Sequence, residues 1–317
     1  MTDPDLILAG GHLLTMDADL RVIPRGAVAV AGGTIAAVGP LEDLRAAHPR
    51  APVRDLPETV LMPGLINTHA HSGMLRGTAE HLPVWDWLTL HINPMHRVLE
   101  PEEAEAACYL AYAESLLSGV TTIVDMWRYM DGAARAAQTL GIRLVAVPYV
   151  GAHPDYDYFE SLDDNEALLE TWQGGAGGRV NVWVGLEHPF YADEAGTRRA
   201  IDMARAHGVP LHTHCSEAGI ELAEFDRRYG KRPMAVLADL GYFDAPHCMI
   251  AHGVWIDPDE IALISGHSVS VAHNPVSNMK LASGIALVEE MLAAGVPVGL
   301  GTDGEKENNN FDMFEEM

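Results

Sequence analysis

The feature that most constrains this chain is an alternation. From Gly64 to Asp303, short apolar runs are separated by longer stretches rich in Ala, Leu and Glu. Strands with a helix between them cannot pair as hairpins, so this order predicts a parallel sheet in an α/β fold. Strand ends fall near His71, Asp125, Tyr149, His188, His214, His252, His273 and Asp303. Eight such units fit a closed (β/α)8 TIM-like barrel better than an open doubly wound sheet. The helices carry their own punctuation. Pro101 opens PEEAEAACYLAYAESLL, followed at once by acidic residues that suit a helix N-terminus, and Gly141 closes DGAARAAQTL. A polar loop is expected between IRLVAVPYV and VNVWVGLEH. No Gly-x-Gly-x-x-Gly follows the first strand and no Gly-Lys-Ser/Thr loop occurs, so a nucleotide-binding open sheet has no support.

The first 60 residues have a different texture. DLILAGG reads as a strand ending in a Gly-Gly turn. RVIPRGAVAVAGGTIAAVG reads as two strands joined by Gly32-Gly33, and a further apolar run precedes Pro63. The expected division is a small β-rich segment over residues 1–60 and the barrel over residues 61–317.

Charge excludes two classes of partner. Lys and Arg number 20 against 45 Asp and Glu, for a net charge of −25. A nucleic-acid binder needs a basic footprint, and an anionic membrane repels such a chain, so neither nucleic acid nor membrane is expected as a partner. Cys108, Cys215 and Cys248 are odd in number and far apart. They imply no disulfide framework, and a cytoplasmic location is the expectation. The start MTDPDLILAGG has no basic segment followed by a long apolar run, so it does not read as a signal peptide.

The 16 histidines are organised. In a barrel of this kind, chemistry sits at the carboxyl ends of the strands. Found there are His69-Ala70-His71, Glu187-His188, His212-Thr213-His214 with Glu217 just beyond, His252, His273 and Asp303. Positions two apart on a strand point the same way, so His69 and His71 face the barrel axis together. His69, His71, His214 and Asp303 form a set suited to one divalent transition metal with a position left for water. Such a metal lowers the pKa of its water and makes hydroxide available near neutral pH. Glu217 is placed for general acid–base work. His252 can hydrogen-bond the water or the electrophile, or serve as a further ligand; the sequence leaves both open. None of Lys231, Lys280 and Lys306 falls at a strand end, so a lysine-bridged pair of metals is not expected. His12, His48, His81, His91, His207 and His247 read as ordinary surface or loop residues.

PGLINTHAHSGMLRG, HTHCSE, AHGVW, AHNPVSNMKLASGIA and GLGTDG occur in this order. Together they resemble the amidohydrolase superfamily, and within it the aminohydrolase and chlorohydrolase branch. That branch holds deaminases of S-adenosylhomocysteine and methylthioadenosine, guanine deaminase and triazine hydrolases. The resemblance implies a distorted barrel with one divalent metal, zinc or less often iron (Fe2+), and a small β-sandwich domain built from both chain ends. It implies that Asp303 takes a proton from the attacking water. Glu217 then passes protons to the ring nitrogen and the leaving group, and His252 polarises the attacked centre or holds the hydroxide. His188 matches a substrate-contacting histidine, although Gly185-Leu186-Glu187-His188 lacks the proline of that pattern.

Departures from the branch shape the substrate expectation. The nucleoside deaminases grip ribose with a glutamate where this chain has His96, and carry an arginine where it has Pro148. A compact amino-heteroaromatic of purine, pterin, pyrimidine or triazine type is therefore expected, with ammonia released. Trp85, Trp87, Trp127 and Tyr149 are candidates to stack on it. The alternatives are a nucleoside deaminase, a chloride- or alkylamine-displacing hydrolase, and a non-catalytic scaffold. A homo-oligomer stays open. Branch members continue well past the eighth strand, so a missing C-terminal part, exposed apolar surface and reduced stability are also expected.

Overall fold

The computed structural model describes residues 3–73 and 76–317. Met74 and Leu75 of the PGLINTHAHSGMLRG motif, and Met1 and Thr2 of the opening segment, lie outside the described residues. Two compact units meet at the bond between Gly64 and Leu65.

The first unit is a five-stranded sheet. Its strands are β1 (Leu6–Leu14), β2 (Val22–Pro24), β3 (Gly26–Ala31), β4 (Thr34–Pro40) and β5 (Val53–Leu61). The expected first strand of the hairpin is cut in two at Arg25, whose positive φ of 49° ends β2 before β3 begins. Gly32 and Gly33 make the β3–β4 turn with φ of 56° and 76°, the left-handed pair that a tight hairpin requires. A helix over Leu41–Ala47 follows β4 and buries Leu41 and Leu44 against Ile7, Ala27 and Ala29. No strand pattern announces it.

In the second unit every strand pairing is parallel. One sheet runs β6 (Leu65–Ala70), β7 (Val120–Trp127), β8 (Arg143–Pro148), β9 (Val180–Val182). The other runs β10 (Val184–Gly185), β11 (Leu211–Cys215), β12 (Cys248–His252), β13 (Val269–His273), β14 (Val298–Leu300). VNVWVGLEH, expected as one strand, is thus split at Trp183: β9 pairs with β8 and β10 pairs with β11. The last strand also reaches the first. Thr68 Oγ1 donates to Leu300 O at 2.7 Å, and the Asp303 amide donates to His69 O at 3.0 Å.

Most strand residues are buried, on both faces, which is why these segments read as apolar runs rather than alternating ones. Val180, Val182, Val184, Leu211, Ile250 and Val271 are all fully buried. Helices at Pro101–Leu117, Met130–Leu140, Glu194–His207, Pro233–Leu240, Pro258–Ile264 and Val288–Ala293 stand where the alternation puts them. The expected polar loop after β8 is corrected: it contains a helix at Leu162–Trp172, started by a capping box between Ser161 and Asp164. A second unforeseen helix, Gly219–Tyr229, follows β11. Among the described residues no helix is long and apolar enough to cross a membrane.

Candidate metal centre and cleft

The carboxyl ends of β6, β11, β12 and β14 bring His69, His71, His214, His252 and Asp303 together in the buried interior. Their hydrogen bonds fix which ring nitrogen carries the proton. His71 Nδ1 donates to Met126 O at 2.5 Å, and His214 Nδ1 donates to Glu187 O at 2.7 Å. His212 Nδ1 donates to Met249 O at 2.9 Å, so its Nε2 accepts from His69 Nδ1, also at 2.9 Å. Each of the three rings therefore presents a bare Nε2 lone pair inward. His71 and His214 meet at 3.1 Å, and His214 and His69 at 3.2 Å. Burial holds all three below the ordinary imidazole pKa, hence neutral.

Converging lone pairs with no proton between them repel unless a cation sits among them. Asp303 Oδ1 completes the set at 3.3 Å from His71 Nε2 and 3.6 Å from His69 Nε2. A tetrahedral site with bonds of about 2.0–2.1 Å has edges of roughly 3.3 Å. Four of the donor pairs stand at 3.1–3.6 Å, close to such edges, and the protonation suits a divalent ion of zinc size. Ser277 Oγ donates to Asp303 Oδ2 at 2.6 Å and the Gly304 amide donates to Oδ1 at 3.0 Å. Gly301 lets β14 approach this closely: a Cβ there would lie 2.9 Å from both the N and the O of His69.

The remaining predicted groups line a cleft over this centre. His252 Nε2 lies 3.8 Å from Glu217 Oε2 and 3.9 Å from Asp303 Oδ2. Its Nδ1 is held by Asn278 Oδ1 at 2.9 Å. Burial alone would depress His252, yet the facing carboxylates of Glu217 and Asp303 raise it. Burial pushes Glu217 up to about 7, a value suited to a proton carrier near neutrality. Ser283 Oγ donates to its Oε1 at 3.2 Å. Asp303, His252 and Ser216 all adopt positive φ, of 61°, 71° and 56°. Non-glycine residues held there cost of order 1–3 kcal/mol each, and they concentrate at functional sites.

The aromatic residues and His96 also reach the cleft, with Trp85, Trp87, Trp127 and Tyr149 on its walls. His96 stacks on Tyr149 at 4.8 Å, and neither of its ring nitrogens has a partner although the residue is 2 % exposed. His188 is placed differently from a free contact. Its Nδ1 accepts from the Phe190 amide at 3.1 Å and its Nε2 donates to Glu221 Oε2 at 3.2 Å, so it offers the cleft only its ring. Trp85 packs edge-on against that ring at 5.5 Å. Pro148 is not among the cleft residues.

Sequence reasoning gave no role to His212, Glu221, Lys306 or Glu307. Glu221 is 1 % exposed and accepts from the amides of Ser216, Glu217 and Ala218 at 2.7, 2.9 and 2.9 Å. These donors and His188 outweigh burial and hold its pKa below the ordinary value. The carboxylate thereby pins the backbone that carries Glu217. Its signal was the S-E-x-x-x-E spacing after β11, legible once Gly219–Tyr229 is known to be a helix.

The sequence profile of the amidohydrolase family matches residues 60–317, and that of a bacterial imidazolonepropionase-like composite domain matches residues 26–51. The chain belongs to the amidohydrolase family. It is 40 % identical to the 5-methylthioadenosine/S-adenosylhomocysteine deaminase of Nitratidesulfovibrio vulgaris, over 100 % of this chain and 73 % of that one. It is 36 % identical to the 5'-deoxyadenosine deaminase of Methanosarcina mazei, over 99 % of this chain and 72 % of the relative. A zinc-bound adenosine deaminase from Xanthomonas campestris superposes with a TM-score of 0.93 at 31 % identity, covering 100 % of this chain and 73 % of its own. Family and relatives make the protein a hydrolase of carbon–nitrogen bonds other than peptide bonds.

Proposed function

We propose that this protein is a metal-dependent hydrolytic deaminase that releases ammonia from an amino-substituted heteroaromatic ring. The observation that carries the reading is the convergence of the bare Nε2 atoms of His69, His71 and His214, with Asp303 Oδ1 beside the first two and Glu217 and His252 lining the same cleft. His69, His71, His214 and Asp303 would hold one divalent ion, zinc in the first instance, whose Lewis acidity activates water near neutral pH. Asp303 accepts the proton of the attacking water. Glu217 delivers protons to the ring nitrogen beside the attacked carbon and then to the departing amine. His252, steadied by Asn278, orients the attacked centre from the opposite side. The tryptophans and His96 bind the ring and exclude water. The parallel strands are read as a closed barrel around this centre, supported by the bonds from β14 to β6.

The names of the relatives point to an aminopurine base. A nucleoside substrate is the second reading, favoured by that 40 % identity. Against it stands His96, which replaces a ribose-gripping carboxylate with an imidazole. The test is metal analysis followed by an ammonia-release screen over aminopurines, pterins, pyrimidines, triazines and adenine nucleosides. Glu217→Gln is expected to keep stoichiometric metal and lose about 10²–10⁴ in turnover. Unchanged turnover would refute the proton-carrier role, and a folded protein without metal would refute the reading as a whole.

A further inference from the structure

The loop after β14 carries three consecutive charged residues, Glu305, Lys306 and Glu307, and all three are buried, at 3 %, 2 % and 3 % exposure. Lys306 and Glu307 line the same cleft as Glu217 and His252. Lys306 Nζ lies 2.8 Å from Glu307 Oε1 and 3.2 Å from Oε2. Its ammonium also sits 5.8 Å from the Trp87 ring and 5.5 Å from the Trp127 ring. A buried ion pair between sequence neighbours is poor evidence of stabilisation, because desolvating both charges offsets their attraction. The metal set is complete without it. The pair therefore calls for another explanation, and its position on the cleft wall supplies one.

An ammonium has three donors and a carboxylate has about four acceptor positions, so one mutual contact leaves capacity on both. Side by side they form a donor next to an acceptor. That pattern is complementary to a lactam edge, in which a carbonyl oxygen accepts and the adjacent ring N–H donates. A second observation points to a polar ligand in the same cleft: both ring nitrogens of buried His96 are unpartnered. An anionic ligand suits the cleft poorly, since Glu187, Glu217, Glu307 and Asp303 all face it.

We propose that Lys306 and Glu307 are specificity-determining residues that read an oxo/N–H edge, so that the substrate is an amino-oxo-heteroaromatic. Lys306 donates to the ring carbonyl, and Glu307 accepts from the neighbouring ring N–H. This inference rests on the deaminase reading for its substrate class, but it can be tested by binding alone. Guanine and 2,6-diaminopurine have nearly the same shape and present opposite patterns at this edge. Their affinities can be compared by quenching of tryptophan fluorescence, Trp87 and Trp127 being beside the pair. The metal-loaded wild type is expected to prefer guanine by at least about tenfold, the size of one good polar discrimination. Lys306→Met is expected to abolish that preference, as is the double variant Lys306→Met, Glu307→Gln, which removes both charges of the pair together. Equal affinities in wild type would overturn the proposal, as would a folded, metal-replete double variant that keeps the preference. The deaminase reading fails separately: a protein with the guanine preference that releases ammonia from no amino-heteroaromatic would refute the reaction and uphold the recognition pair.

Discussion

Replacing His212 by Phe is expected to weaken metal binding although His212 is not a ligand. The reasoning follows one proton. Met249 O holds the proton of His212 on Nδ1, which makes its Nε2 an acceptor. That acceptor holds the proton of His69 on Nδ1 and leaves His69 Nε2 bare toward the centre. Phenylalanine fills the same space and removes the acceptor. The Nδ1–H of His69, a fully buried residue, is then unsatisfied at a cost of about 1–3 kcal/mol. The alternative is to move the proton to Nε2, where it blocks the metal. Either route predicts a loss of about 10–100-fold in affinity, the size typical when an outer partner of a ligating histidine is removed. At about 1.4 kcal/mol per tenfold, this is the same quantity seen from the metal's side. His212→Gln can place an amide oxygen near the lost Nε2 and should recover most of the loss. The assay is competitive zinc titration against a chromophoric chelator, with circular dichroism to confirm an intact fold. Unchanged affinity in His212→Phe would refute the reasoning, as would His212→Gln binding no better than the phenylalanine variant.

Two further outcomes follow from buried carboxylates. Glu221→Gln leaves one acceptor oxygen where three amides and His188 converge, and should cost about 3 kcal/mol in chemical denaturation. It should lower turnover more than metal content, because the backbone of Glu217 loosens first; stability and turnover like the wild type would refute its positioning role. Asp125, fully buried, is raised from 3.8 to about 6 by burial, despite the bonds donated by Ser72 and Tyr112. Its folded form holds the proton more tightly than its unfolded form, so stability is fullest below pH 3.8 and is lost as pH rises through about 6. Asp125→Asn should remove that segment of the stability–pH curve, worth of order 3 kcal/mol. Parallel curves for the two proteins between pH 4 and 6 would refute the assignment.

Much of the architecture was legible because it is written in local terms. A strand buried on both faces must be apolar throughout, and a helix packed over it needs a start and a stop, so β7, β8 and β11 and the helices at Pro101–Leu117, Met130–Leu140 and Glu194–His207 stand out in sequence. The meeting of His69, His71, His214 and Asp303 was legible for a related reason. In a parallel α/β fold the carboxyl ends of strands far apart in the chain come together on one side, and His-x-His at such an end puts both rings on one face. What escaped lies in relations between elements. Nothing in HTHCSE says that His212 Nε2 will stand 2.9 Å from His69 Nδ1, 143 residues earlier. The split at Trp183 is a change of pairing partner, which the strand's own composition does not record.

Lys306 shows how far a local rule can mislead. A lysine in a Glu-Lys-Glu run reads as a solvated loop, since lysine is almost never fully buried unless paired. The pairing is supplied by Glu307, and the two indoles of Trp87 and Trp127 close over the ammonium. The same end of the fold holds the left-handed Ser216, His252 and Asp303, together with the unpartnered nitrogens of His96. Strain, buried charge and unmet hydrogen-bonding capacity each oppose folding. Natural sequences keep such local conflicts where function requires them. Their concentration over the converging nitrogens of His69, His71 and His214 is the pattern expected where function rather than stability shapes a sequence.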